Sequence, residues 1–180
     1  VVDMKKYTKI IVSIIIIICI FLRIFYVNLN CDKTCKYEYE FGEECCFNDI
    51  IYKIQSVNIY DDIEDAREFF GKSQQEENTY EQKIIVIGVE VTYVGDKDNT
   101  TLYVSRDHIQ IGSYTNGIWN TLRLQQDREL IKGQTKTVYL ITSIVNSKYA
   151  ISKKSWENPP IGKCELVLST YPQIIIMKCK

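Results

Sequence analysis

Apolar residues dominate the chain from Ile10 to Val27, IIVSIIIIICIFLRIFYV, and the thirteen positions from Ile10 to Leu22 hold no charge. A membrane-spanning helix needs roughly 20 mostly apolar residues and at least about 17. The stretch reaches that lower limit when Arg23, close to its far end, snorkels to the headgroups beside the interfacial Tyr26. Beyond it the pattern changes period. Ile85, Ile87, Val89, Val91 and Tyr93 alternate with Val86, Gly88, Glu90 and Thr92, the two-residue repeat of a strand with one apolar and one mixed face. Strands are also predicted at Ile51 to Tyr60, Leu102 to Val104, His108 to Ile111, Ile118 to Leu124, Thr135 to Val145, Cys164 to Thr170 and Gln173 to Cys179. Pro172 forces a bend between the last two.

Between the first two strands, Asp61 with Glu64 three residues on has the spacing of a helix cap, with Ile63, Ala66 and Phe70 on one face and Gly71 at the end. The pattern there predicts a short helix, followed by a polar loop over 72–82. Asn116-Gly117 is the residue pair of a two-residue type I′ hairpin turn. That turn pairs Tyr114 with Trp119 on the outer face and turns Ile109, Ile111, Leu122 and Leu124 inward. Tyr114, Trp119 and Arg123 then form a candidate partner-binding patch, although an aromatic cross-strand pair commonly serves only the hairpin.

Composition supports the strand reading. The domain is rich in Ile, Tyr, Thr and Val, and the chain holds only two alanines, Ala66 and Ala150. β-branched and aromatic residues favour pleated surfaces, so the expected class is all-β: a β-sandwich of about seven strands with one short helix, preceded by a single N-terminal transmembrane helix. The expected organisation is a cytoplasmic segment at 1–9, a signal-anchor span at 10–27, a cysteine-rich stalk or irregular loop at 28–48 and the sandwich at 49–180. Lys5, Lys6 and Lys9 before the span place the N-terminus inside and the domain outside. No A-x-A-like site follows the apolar stretch, so it reads as an uncleaved signal-anchor.

Net charge changes little: at −1 it offers no footprint for nucleic acid. The cysteines change more. Cys31, Cys35, Cys45, Cys46, Cys164 and Cys179 lie beyond the span, where disulfides are permitted, and sequence cannot choose their pairing. A thiolate zinc site at Cys31, Cys35, Cys45 and Cys46 has irregular spacing and is disfavoured against one or two structural disulfides. His108 is the single histidine, and neither a nucleophile motif nor a phosphate-binding glycine loop accompanies it. No catalytic residue, cofactor or metal is therefore expected.

Met4-Lys5-Lys6 with one isoleucine-rich span, then Tyr52-Lys53-Ile54, Val89-Glu90-Val91-Thr92-Tyr93 and Leu166-Val167-Leu168-Ser169-Thr170-Tyr171-Pro172, resemble a group of Gram-positive bacterial surface proteins. These carry an extracytoplasmic immunoglobulin-like domain of unknown function behind a membrane or lipid anchor. The resemblance implies an immunoglobulin-like sandwich and supplies no catalytic residues; the cysteine-rich stretch 31–46 is not part of it. The expectation is a membrane-anchored, non-enzymatic module that binds an unknown protein or envelope ligand. Its rivals are a small envelope enzyme or thiol-redox protein using the clustered cysteines, against which the lack of Cys-x-x-Cys counts, and a purely structural envelope component.

Overall fold

In the computed structural model, residues 4–30, 35–70, 81–104, 107–147 and 151–180 are described, with side chains unassigned at 4–10 and 27–30. The chain forms two units, 1–34 and 35–180. The first holds one helix, α1 (Met4–Asn30), whose side chains from Ile11 to Tyr26 are exposed all round. The span expected at 10–27 is thus helical. Among the described residues, however, no helix is long and apolar enough to cross a membrane.

The second unit is built from β1 (Cys35–Tyr39), β2 (Glu44–Phe47), β3 (Ile50–Tyr60), β4 (Gln82–Tyr93), β5 (Asn99–Thr101), β6 (His108–Ile111), β7 (Tyr114–Gly117), β8 (Glu129–Ile131), β9 (Thr135–Val145), β10 (Cys164–Ser169) and β11 (Gln173–Lys178), with short helices α2 (Leu122–Asp127) and α3 (Lys153–Glu157). Five strands form one sheet in the order β1-β11-β10-β6-β7, and four form another, β2-β3-β4-β9. A small pair, β5-β8, stands apart. The period-two face of β4 does what its pattern demands: Ile85, Ile87, Val89 and Val91 join Tyr52 and Ile54 of β3 and Val138 and Leu140 of β9. Opposite them, in the same core, lie Ile109 and Ile111 of β6, Leu166 and Leu168 of β10, and Ile175 and Met177 of β11. The architecture is a β-sandwich.

Three expectations need correction. The stretch 28–48 is not all stalk: the folded unit begins at Cys35, where β1 pairs in parallel with β11 and β2 pairs with β3. The reason is local. Asn48 and Asp49 both adopt positive φ, 52° and 60°, giving the two-residue turn that folds β2 back onto β3.

Residues 61–70 do not form an α-helix. They run through turns into a 3₁₀ turn at Arg67–Phe69, with the Asp65 amide donating to the Asp62 carboxylate at 2.9 Å. Ala66, Phe69 and Phe70 still bury together, against Ile84, Val86 and Ile141 on the outer face of β4 and β9. The loop expected at 72–82 lies largely outside the described residues.

The hairpin turn sits four residues earlier than Asn116-Gly117. Ile111 pairs with Tyr114, and the turn is Gly112-Ser113, with Gly112 at φ +60°. Asn116 instead reaches across the sandwich, its Nδ2 donating to the Ser143 carbonyl at 3.0 Å. The Thr142 hydroxyl donates to the Gly117 carbonyl at 2.8 Å, and the Trp119 amide to the Ile141 carbonyl at 2.7 Å. These bonds lace β7 to β9 and close one side of the sandwich. The predicted strand Ile118 to Leu124 therefore never forms. Thr121 caps α2 there, its hydroxyl accepting from the Leu124 amide at 3.1 Å.

Candidate functional site

The expected patch does not assemble. Tyr114 points its hydroxyl at the Ser143 carbonyl, donating over 3.3 Å. Trp119 packs edge-on to Phe70, ring centroids 5.7 Å apart. Arg123, carried on α2, lies 4.6 Å over the Tyr139 ring and donates to the Glu68 carbonyl at 2.9 Å. Trp119 and Arg123 thus hold the 61–70 segment on the sheet, while Tyr114 belongs to the sandwich core. Each has a partner inside the domain.

Of the cysteines, the structure brings Cys164 and Cys179 together. Both are buried, and the Cys179 amide donates to the Cys164 carbonyl at 2.9 Å, one rung beyond the Glu165–Lys178 pair. The hydrogen bond between the two sulfurs, reinforced by burial, pushes the Cys179 thiol well above its ordinary range. Burial also pushes Cys45 up. Cys45 and Cys46 are consecutive on β2, one buried and one exposed, so they face opposite sides of the strand. Cys35 begins β1; Cys31 lies outside the described residues. Among the described residues no three His, Cys, Asp or Glu side chains gather as a metal site.

The feature that stands out is a cleft of about 800 Å³ at one end of the sandwich. Three connections build it. The β2–β3 hairpin contributes Phe47 and Asn48, the β10–β11 turn contributes the run from Leu168 to Gln173, and the link between β5 and β6 contributes Tyr103 and Asp107. The left-handed turn at Asn48-Asp49 is pinned from behind, the Val94 amide donating to the Asp49 carbonyl at 2.8 Å. Tyr103 and Tyr171 stand at the rim, 75% and 76% exposed. Asp107 is the opposite case, only 8% exposed, with its amide donating to the Val104 carbonyl at 3.2 Å. Among the described residues no hydrogen bond or ion pair offsets the burial of its carboxyl.

Burial alone lifts the Asp107 carboxyl from the usual carboxylate range to about 7. Tyr52, buried on β3, is pushed up by desolvation first and by the Asp107 charge second, which places its phenol within the field of the carboxyl. A largely buried ionisable group lining open space, with no partner among the described residues, is the arrangement expected of a binding site.

No family model matches this chain. Nor does any curated protein. Among solved structures, the chain is similar to the crystal structure of MPT63, a secreted protein from Mycobacterium tuberculosis. The match has 8% identity and a TM-score of 0.48, covering 81% of this chain and 99% of that one.

Sequence reasoning passed over this site for identifiable reasons. Asn48-Asp49 between two apolar runs is a recognisable turn pair, and reading it would have carried the sandwich back to β1 and β2. Asp107 sits in the polar run Arg106-Asp107-His108 and looks like any solvated loop acid. Its burial comes from strands far away in sequence.

Proposed function

We propose that this chain is a membrane-anchored, extracytoplasmic binding module with an immunoglobulin-like sandwich, and that it is not an enzyme. The observation that carries the reading is the cleft, walled by connections at one end of a sandwich and lined by a largely buried carboxyl with no partner among the described residues. Connections held by a rigid scaffold are where sandwich domains do their binding. The immunoglobulin-like assignment draws on strand order. Taking β3, β4, β6, β9, β10 and β11 as A, B, C, E, F and G gives A-B-E in one sheet and C-F-G in the other. The anchor draws on α1, exposed and apolar from Ile11 to Tyr26 apart from Ser13 and Arg23, and on the lysines that precede it. The thiol-redox alternative loses ground to the raised Cys45 and Cys179 thiols, because catalytic thiols are lowered, not raised.

A photo-crosslinking residue at position 171, on the rim, tests the reading in intact cells. Light should yield adducts from position 171 and not from position 131, an exposed residue of β8 outside the cleft. Equal adducts from both, or none from 171, would overturn it. Protease added outside protoplasts tests the orientation separately and should digest the 35–180 unit.

A further inference from the structure

The cleft's chemistry narrows what it can hold. Among the described residues lining it, Asp107 carries the only formal charge; there is no lysine or arginine. The other residues of the lining are aromatic or neutral, among them Phe47, Tyr103, Tyr171 and Ser169. Arg106, the residue before Asp107, lies outside the described residues. Among the described residues, an anion entering this space would meet a carboxylate and no counter-charge. A purely apolar ligand would leave a buried carboxyl without a partner, which costs free energy. A positively charged group satisfies both demands. Its charge meets the carboxylate at short range, and its CH₂ or CH₃ groups lie against ring faces, which attract cations through their quadrupole.

We propose that the cleft is a receptor site for an organic cation, an ammonium or guanidinium head group, with Asp107 as its counter-ion and Tyr103 and Tyr171 as its aromatic walls. The proposal deepens the binding-module reading and rests on it, because it supplies the ligand class for the same site. Among the described residues, ionisable groups around the carboxyl are the Tyr52 phenol from β3, Tyr103 and Tyr171 at the rim, and His108, the next residue in the chain. The site is therefore pH-gated by Asp107 itself. Below about 7 the carboxyl is protonated and offers no charge; above it the charge is present and the cation binds. Each cation bound then releases about half a proton at the midpoint, and close to one well below it.

The test uses the full chain in a neutral detergent, with n-butylammonium and Nα-acetyl-lysine-N-methylamide as probes and acetate as the anion control. Calorimetric titration should show saturable binding of the cations and none of acetate. Affinity should be about tenfold higher at pH 8 than at pH 6, following the ionised fraction of a carboxyl that titrates near 7. Asp107→Asn should lose that pH dependence and weaken binding at pH 8 by about tenfold or more. Asp96→Asn, in an exposed turn, should change nothing. Tyr171→Ser, at the exposed rim, should weaken binding severalfold without lowering the melting temperature. Carboxyl-carbon NMR on the wild-type protein reads the site without any substitution, and saturating cation should move the Asp107 midpoint downward. Much tighter binding of the lysine derivative than of the simple amine identifies a peptide source, and equal binding a small free amine. No saturable cation binding by folded wild-type protein, unchanged binding by Asp107→Asn, or an Asp107 midpoint that ignores the cation would each overturn the proposal. None of these outcomes touches the crosslinking or orientation tests, so the two readings fail separately.

Discussion

Cys164 and Cys179 face each other at the end of the β10–β11 ladder, joined through the Cys179 amide and the Cys164 carbonyl at 2.9 Å. Directly opposed residues in a hydrogen-bonded antiparallel pair have Cα atoms about 5.5 Å apart, inside the range a disulfide bridges. On the oxidising side of a membrane this pair should close. Mass analysis of alkylated, non-reduced protein should find a peptide linking positions 164 and 179. Closing a loop of roughly 15 residues is worth about 3 kcal/mol in the chain-entropy model, so reduction should lower stability by a similar amount. Complete alkylation of both thiols in freshly prepared protein would show that they remain reduced.

Gly88 offers a second prediction. A bulge in β3 between Ile54 and Ser56 turns the Ser56 side chain toward Gly88 on β4, and a Cβ at position 88 would stand 2.5 Å from the Ser56 hydroxyl oxygen. Replacing Gly88 with valine should cost about 1–3 kcal/mol through overpacking. The loss should shrink in a Ser56→Gly background, where the clashing atom is gone. Denaturant unfolding of the four proteins in that cycle measures the coupling directly.

Substitution at the residues once expected to meet a partner should register as stability. Arg123→Ala removes a guanidinium from the Tyr139 ring and from the Glu68 carbonyl, and should cost about 1–2 kcal/mol. Trp119→Thr should cost more, since Trp119 packs on Phe70 in the outer cluster. Both should increase proteolytic cutting in the 61–70 segment. Unchanged thermal unfolding in both variants would mean that this clasp holds nothing.

Asp107 sets the direction of a pH dependence. Its carboxyl titrates near 3.8 in the unfolded chain and near 7 in the folded one, so the folded state holds the extra proton between those values. Stability from the neutral carboxyl is complete below about 3.8, falls as pH rises toward 7, and is gone above it. The fall attributable to this one residue is of the order of 2–4 kcal/mol. Asp107→Asn should flatten that part of the stability profile and leave the protein more stable than wild type at pH 8.

The strands were legible where the apolar repeat runs long, although β4 and β9 each bury part of both faces. β9 spans the predicted range of 135–145, and β4 contains the whole alternating run from Ile85 to Tyr93 and begins three residues earlier, at Gln82. Sequence patterning failed where a different layer decides the outcome. Residues 61–70 carry helix-cap spacing, yet Ala66, Phe69 and Phe70 must all reach the outer face of β4 and β9, and a 3₁₀ turn brings Phe69 and Phe70 down together. Asn116-Gly117 is a sound turn signal that lost to Gly112-Ser113, because Asn116 bonds across the sandwich to Ser143. The cleft was not legible, since its lining comes from three segments, Phe47-Asn48, Tyr103 with Asp107, and 168–173, separated by more than fifty positions in the chain.

The parallel pairing of β1 with β11 has a mechanical side. Cys35 lies opposite Gln173 and Tyr39 opposite Met177, so the chain enters the domain along a strand whose five register pairs are aligned with the direction of entry. Tension applied from the N-terminal side, with the body of the sandwich held, loads those pairs together in shear instead of peeling them one by one. Extending a molecule held at position 34 and position 100 by optical tweezers should show β1 yielding in one abrupt step. Stepwise release at low force would show that the strand unzips. In a tethered receptor, such a joint lets the cord be pulled taut while the receiving end of the domain keeps its shape.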